Sequence, residues 1–310
     1  MELIYYNDSL KAEWDLFVES SKNGTFLFKR DYMEYHSDRF EDNSLLFYQG
    51  KRLRAVFPAA KISDSLISHP GLTYGGMVTD RKMTVTDMLE IFRLLTEEAK
   101  RKGFNNIYYK PVPYIYDSLP AQEDLYALFR HGATIESRNV SSVVETANRL
   151  KFREIRKQGV RKAVKIGYSV SPSDDYEKFW DILSQNLKTR YDSSPVHSLA
   201  EISLLAQRFS DNIKLFATMK GDEMTGGTVC YITERCVHVQ YISASAEGKE
   251  NGALDLLFSY LLNDVFPEVP YFDFGTSNEN GGRYLNESLI YQKEGFGGRA
   301  VCYDNYRIEL

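Results

Sequence analysis

The chain has 310 residues, 43% hydrophobic and 26% charged, the balance of a folded globular protein rather than a disordered or membrane-embedded one. That length accommodates two domains whose cores need no disulfide or metal staple. The net charge of −5 is unevenly spread. Arg149, Lys151, Arg153, Arg156, Lys157, Arg161, Lys162 and Lys165 face a single acid, Glu154, across 149–165, a patch suited to phosphates.

In chain order, SLKAEWDLFVESS (9–21) reads as a helix capped by Asp8 or Ser9. SLLFYQGKRLRAVFPAAKI (44–62) reads as a hairpin about Gly50. TVTDMLEIFRLLTEEAKRKG (84–103) has helical apolar spacing at Met88, Leu89, Ile91, Phe92, Leu94 and Leu95, and stops at Gly103. NIYYKPVP (106–113) is a strand ended by prolines, AQEDLYALFRHGA (121–133) a helix and NVSSVVET (139–146) a strand. The second half repeats the plan: helix 176–191, hairpin 212–233 turning at Lys220-Gly221-Asp222, strand 236–245, helix 250–266, strand 271–277, helix 285–297 and strand 300–310.

The halves also echo each other in residues. RFEDNSLLF (39–47) returns as RFSDNIKLF (208–216), with Arg39 and Arg208 lying 169 positions apart, and Trp14-Asp15-Leu16 parallels Trp180-Asp181-Ile182. So long a period marks a duplicated domain rather than a solenoid. The expected organisation is a layered α/β (α+β) chain of two tandem domains, 1–148 and 149–310, each a mixed sheet flanked by helices, the second opened by the basic helix. Cys230, Cys236 and Cys302 lack metal-ligand spacing, and their odd number fits a reducing compartment, so no metal is expected. The sequence shows no basic-then-apolar leader and no apolar run near about 18 residues, so a cytoplasmic protein without membrane insertion is expected.

Ile290-Tyr291-Gln292-Lys293-Glu294-Gly295-Phe296 resembles the L-Y-x-K-x-G-F ending of the fourth helix in the GNAT superfamily of N-acetyltransferases. The order strand, helix, YFDFG strand, helix, motif, final strand is also that superfamily's, and two such halves in tandem resemble its FemAB-like branch. The resemblance implies acyl transfer from acetyl-CoA or another acyl-CoA to an amine, with Tyr291 protonating the departing thiolate. The first half carries Phe129 in Ala127-Leu128-Phe129-Arg130-His131-Gly132-Ala133, which cannot donate a proton, so the second half is expected to be the catalytic one.

The family's pyrophosphate loop, Q/R-x-x-G-x-G/A, holds phosphates on backbone N–H groups at a helix start. Here it becomes Gly248-x-x-Asn251-x-Ala253, without the Arg/Gln and the middle Gly and with Glu247 and Glu250 alongside. The donor set expected is Ser243, Ser245, Gly248, Lys249, Asn251, Gly252 and Ala253. Asp273-Phe274-Gly275-Thr276-Ser277 resembles a D-F-G-x-S run of the same branch, with Asp273 as base or amine anchor. His197 is a second candidate base, histidine being the side chain suited to that role near neutral pH. Tyr74, Gly75, Lys110, Arg156, Arg161, Arg190, Tyr191 and Lys293 are the expected acceptor contacts.

The primary reading is an N-acyltransferase acting on the amine of an anionic small molecule, such as a nucleotide-linked amino sugar of envelope polysaccharide synthesis. One alternative is a FemX-like transferase using aminoacyl-tRNA on a peptidoglycan precursor, the only version in which tRNA is a partner. Another is a non-catalytic binding protein of the same fold. No H-E-x-x-H, G-x-S-x-G or Walker loop occurs, so zinc, serine-hydrolase and P-loop chemistry lack support.

Overall fold

The computed structural model describes residues 1–310, apart from the side chain of Tyr191. In chain order the elements are β1 (Glu2–Tyr5), α1 (Lys11–Ser20), α2 (Arg30–Met33), β2 (Glu41–Asp42), β3 (Leu45–Gln49), β4 (Arg52–Phe57), β5 (Ala59–Ile62), β6 (Ser65–Ser68), β7 (Val78–Thr79), α3 (Val85–Arg101), β8 (Asn106–Tyr109), α4 (Glu123–Arg130) and β9 (Thr134–Glu145). There follow α5 (Glu154–Lys165), β10 (Tyr168–Ser173), α6 (Tyr176–Tyr191), α7 (Leu199–Arg208), β11 (Ile213–Lys220), β12 (Glu223–Ile232), β13 (Cys236–Ala244), α8 (Ala246–Asn251), α9 (Ala253–Tyr260), β14 (Tyr271–Thr276), β15 (Asn278–Glu279), β16 (Tyr284–Leu285), α10 (Glu287–Glu294) and β17 (Arg299–Glu309).

The chain divides into two compact units, but not at the expected 148/149 boundary. Unit 1 comprises Met1–Asn139, Asn278–Tyr284 and Cys302–Leu310, and unit 2 comprises Val140–Ser277 and Leu285–Val301. The cause is strand pairing. In unit 1, β8 pairs antiparallel with β17 (Tyr109 opposite Tyr306). In unit 2, β14 pairs antiparallel with the end of β9 (Phe272 opposite Val144). Each unit thus takes one strand from the other half of the sequence.

Unit 1 holds a small sheet ordered β1-β3-β4-β7 and a second run ordered β17-β8-β6-β5-β2. Helix α3 starts at Thr84, whose hydroxyl accepts from the Asp87 N–H at 3.2 Å, and buries Met88, Ile91, Phe92 and Leu95 at i, i+3, i+4, i+7 spacing. Each such side chain contributes roughly 1.5–3 kcal/mol on full burial. They pack with Phe47, Phe57, Tyr109 and Ile308.

Unit 2 is ordered β10-β11-β12-β13-β14-β9, with Phe216, Val237, Leu257, Phe258, Phe272, Phe274 and Phe296 in its core. The repeated landmarks have matching duties. Trp14 in α1 and Trp180 in α6 donate their indole N–H to the carbonyls of Phe28 (2.7 Å) and His197 (3.1 Å). The repeated RF-DN segments each lead into a hairpin, β3–β4 and β11–β12. Each unit also has a parallel pair joined through helices, β6–α3–β8 and β13–α8–α9–β14. Two details depart from the sequence reading: Asn7, not Asp8 or Ser9, caps the opening turn, and α7 is an additional helix with a Ser198/Glu201 capping box.

Candidate active site

A cavity of about 340 Å³ in unit 2 is lined by Tyr291 and Gln292 of α10, Arg156 of α5, Arg190 of α6, Gly248 and Lys249 of α8, and Gly252, Leu254 and Asp255 where α9 begins. It gathers the tyrosine of the final helix, part of the expected donor set and three cations. Tyr291 is 53% exposed, and the Arg153 guanidinium sits over its ring with Cζ 4.5 Å from the centroid. Arg156 donates to Asp255 at 2.8 Å, while its Nε is buried without a partner. Burial and the neighbouring Arg190 charge lower the Lys249 pKa.

The expected phosphate loop is folded differently. Residues 246–251 form the short helix α8, in which Ser245 caps the Gly248 N–H at 3.0 Å and the Lys249 N–H donates to the Ser245 carbonyl at 2.9 Å. Asn251 turns its amide back onto the Glu247 carbonyl at 3.0 Å, and Ala253 is fully buried. Neither glycine opens space for a ligand. A Cβ on Gly248 would stand 2.1 Å from the Thr225 carbonyl oxygen, and one on Gly252 (φ +80°) would stand 2.4 Å from the Gly159 oxygen. Those glycines let helices and strands approach each other. The cavity therefore fits a phosphate-bearing cofactor through side chains, with the orphaned Arg156 Nε beside Arg190 and Lys249, and not through a backbone cradle. Ser243 is likewise engaged, accepting from Asn186 Nδ2 at 2.7 Å, and the Asn186 carbonyl accepts from Lys249 Nζ.

A second cluster lies where β13 and β14 part. They pair in parallel only at Cys236–Tyr271, Val237–Phe272 and His238–Asp273. Beyond that, β14 bends at Gly275 (φ +76°) with a shift of register against β9, and β13 continues to Ala244 without it. Asp273, fully buried at this fork, accepts from the Gly275 N–H at 2.8 Å and from Ser141 Oγ, and its other oxygen lies 2.7 Å from His238 Nδ1. A carboxylate oxygen accepts, so His238 carries a proton on Nδ1, and in the neutral imidazole Nε2 is then the lone-pair nitrogen. That Nε2 makes no hydrogen bond among the described residues, and the side chain remains 10% exposed. Lys293 donates to the Gly275 and Thr276 carbonyls, both at 2.8 Å. Burial pulls its pKa from 10.5 down to about 8, with the Asp273 charge pulling the other way.

The remaining expected residues fall elsewhere. His197 is buried under Trp180, with Nδ1 2.5 Å from the Tyr241 hydroxyl, and it lines no part of the cavity. Tyr74, Gly75 and the half-buried Lys110 lie in unit 1. The Tyr74 hydroxyl bonds Thr25 at 3.1 Å, and the Gly75 N–H donates to the Lys110 carbonyl at 2.9 Å. Lys110 Nζ donates to the Leu72 carbonyl at 2.7 Å, with burial bringing its pKa to about 8. Arg161 pairs with Glu154 at 2.5 Å outside the cavity, and the Tyr191 side chain lies outside the described residues. Asp273 meets His238 and Ser141. His238 and Ser141 escaped the sequence reading, because strand pairing across 35 and 132 positions brings them to Asp273. Ser141 comes from the half expected to be non-catalytic.

Among the described residues, no group of three or more His, Cys, Asp or Glu could hold a metal ion, and no helix is long and apolar enough to cross a membrane. Residues 150–284 match the family model for an acetyltransferase (GNAT) domain. No curated protein sequence matches the chain. Among solved structures, FemX is similar with a TM-score of 0.69 at 12% identity, over 100% of this chain and 98% of FemX. The L-PGS structure from Bacillus licheniformis gives 0.64 at 12% identity over 96% of this chain and 91% of that one. A conserved protein of unknown function from Bacteroides thetaiotaomicron gives 0.61 at 12% identity, with both chains fully covered. At such identity these structures speak for the fold. The chain thus carries a GNAT acetyltransferase domain across residues 150–284, within a fold similar to that of FemX.

Proposed function

We propose that the protein is an N-acyltransferase that moves an acyl group, acetyl foremost, from acyl-CoA to the amine of an anionic small molecule such as a nucleotide-linked amino sugar. The observation that carries this reading is the cavity that joins Tyr291 to Arg156, Arg190 and Lys249. An acyl-CoA, when bound, supplies an activated carbonyl and a good leaving group. Arg156, Arg190 and Lys249 hold phosphate at the cavity. His238, oriented by Asp273, takes the proton of the attacking amine on Nε2, and Tyr291 Oη returns a proton to the departing atom. The acceptor would be a cytoplasmic precursor of envelope polysaccharide.

Thermal-shift titration with acetyl-CoA, CoA and desulfo-CoA tests donor binding, since a ligand at 100 times its Kd adds about 2.7 kcal/mol to stability. Tyr291→Phe should lower turnover by roughly 10²–10⁴-fold with little change in melting temperature. Unchanged turnover removes Tyr291 from proton transfer. One observation favours a second reading, an aminoacyl ester on tRNA as donor: the α8 turn is closed by Ser245 and by protein backbone rather than left open for pyrophosphate. Under that reading CoA gives no shift, and tRNA binds with a steep dependence on salt.

A further inference from the structure

The basic segment 149–165 is split by the fold. Arg156 turns to the Tyr291 cavity, whereas Arg149, Lys151, Lys157 and Arg161 surround a separate open groove of about 500 Å³ in unit 2. Its floor is apolar, formed by Leu150, Phe152 and Val160. Lys157, Val160, Arg161 and Val164 recur at i, i+3, i+4 and i+7 on α5, so they share one face of the helix. On that face Val164, one turn beyond the groove-lining Val160 and Arg161, is 58% exposed, and Leu150 of the groove is 43% exposed. Large apolar side chains left in water next to cations mark a surface that expects a partner.

The charge on the rim is largely uncompensated. Glu154 is the one acid, pairing with Arg161 at 2.5 Å and Lys157 at 3.7 Å. Arg149 donates to the Leu262 carbonyl at 2.9 Å, and Lys151, exposed, has no ion pair among the described residues. Four cations against one carboxylate around a hydrocarbon floor are complementary to an anionic amphiphile. A nucleic acid fits less well. Phe152, the aromatic side chain of the groove, is packed edge-on to Phe296 at 5.4 Å and has the Arg149 guanidinium 5.2 Å from its centroid, so it offers bases no stacking platform.

We propose that this groove and the 157/160/161/164 face of α5 dock the protein onto anionic phospholipid bilayers, with lipid phosphates on the cationic rim and Leu150 and Val164 entering the acyl-chain boundary. The proposal goes beyond acyl transfer and does not depend on which donor is used. The test is sedimentation of the full chain with phosphatidylcholine vesicles, with and without about one-third phosphatidylglycerol, over a range of salt. Binding should require phosphatidylglycerol and fall as salt rises. Lys151→Glu should weaken it at least roughly fivefold, and Val164→Asp should weaken it too, both with melting temperatures near that of the unaltered protein. If Val164→Asp unfolds, Lys151→Glu decides alone. Absence of phosphatidylglycerol-dependent binding, unaltered binding by a folded Lys151→Glu protein, or a short RNA duplex that binds more tightly than the vesicles overturns the proposal.

Discussion

Replacing Asp273 by asparagine changes one atom of a fully buried group and should be felt in three places. The asparagine oxygen can still accept from Ser141 Oγ and from the Gly275 N–H, held at 2.8 Å by Asp273. Its Nδ2, however, would face the His238 Nδ1–H, now 2.7 Å from a carboxylate oxygen. Two donors cannot share that line, so the imidazole must move its proton to Nε2 and lose the lone pair it offers outward. Hydrogen bonds to a charged group contribute roughly 1.5–3 kcal/mol and neutral ones roughly 0.5–1.5, so weakening three of them costs about 3 kcal/mol. For a unit of about 155 residues that is a fall of roughly 6–12 °C in melting temperature. Turnover should drop roughly 10²–10⁴-fold as the base is lost. Long-range ¹H–¹⁵N correlation of the His238 ring reads the tautomer directly, independent of any substrate, and calorimetry reads the stability. A variant that keeps the Nδ1–H tautomer and turns over within about threefold of the original would refute the argument.

Two further outcomes follow from the same region. Gly252→Ala should destabilise by roughly 2–5 kcal/mol in urea unfolding, because its φ is +80° and its new Cβ would meet the Gly159 backbone at 2.4 Å; a loss under about 1 kcal/mol would show that α5 can yield. Lys293 is depressed in the folded state, from 10.5 to about 8, so above pH 8 the unfolded chain binds the extra proton and stability rises with pH until about 10.5. Relative to Lys293→Met, the original protein should gain about 3 kcal/mol across that window, and a flat difference would place the ammonium in water.

What could be read in the sequence was whatever repeats locally. The apolar spacing of Met88, Ile91, Phe92 and Leu95 gave α3, Gly50 and Lys220-Gly221-Asp222 gave two hairpins, and the motif around Tyr291 gave α10. Asp273 was visible as a polar residue in the apolar run YFDFG. Its partners were not, because His238 lies in an alternating strand where a histidine reads as ordinary, and Ser141 lies in an unremarkable run of β9. The α8 turn was misread as an open loop, although Ser245 three residues before Gly248 is an N-cap signal. The unit boundaries were beyond local reading altogether, since they depend on which strand β8 and β14 choose as neighbour.

That choice has a historical consequence. A duplicated domain ordinarily remains two separable copies, and gene fission or loss of one copy stays open to evolution. Here a fragment ending at 148 would keep β8 but surrender β17, leaving an unpaired strand edge that invites aggregation. The fragment 149–310 would likewise keep Asp273 while losing Ser141, which bonds it. The exchange works as a ratchet: once each copy leaned on the other's last strand, neither could be discarded, and the half without the tyrosine became indispensable to the half that has it.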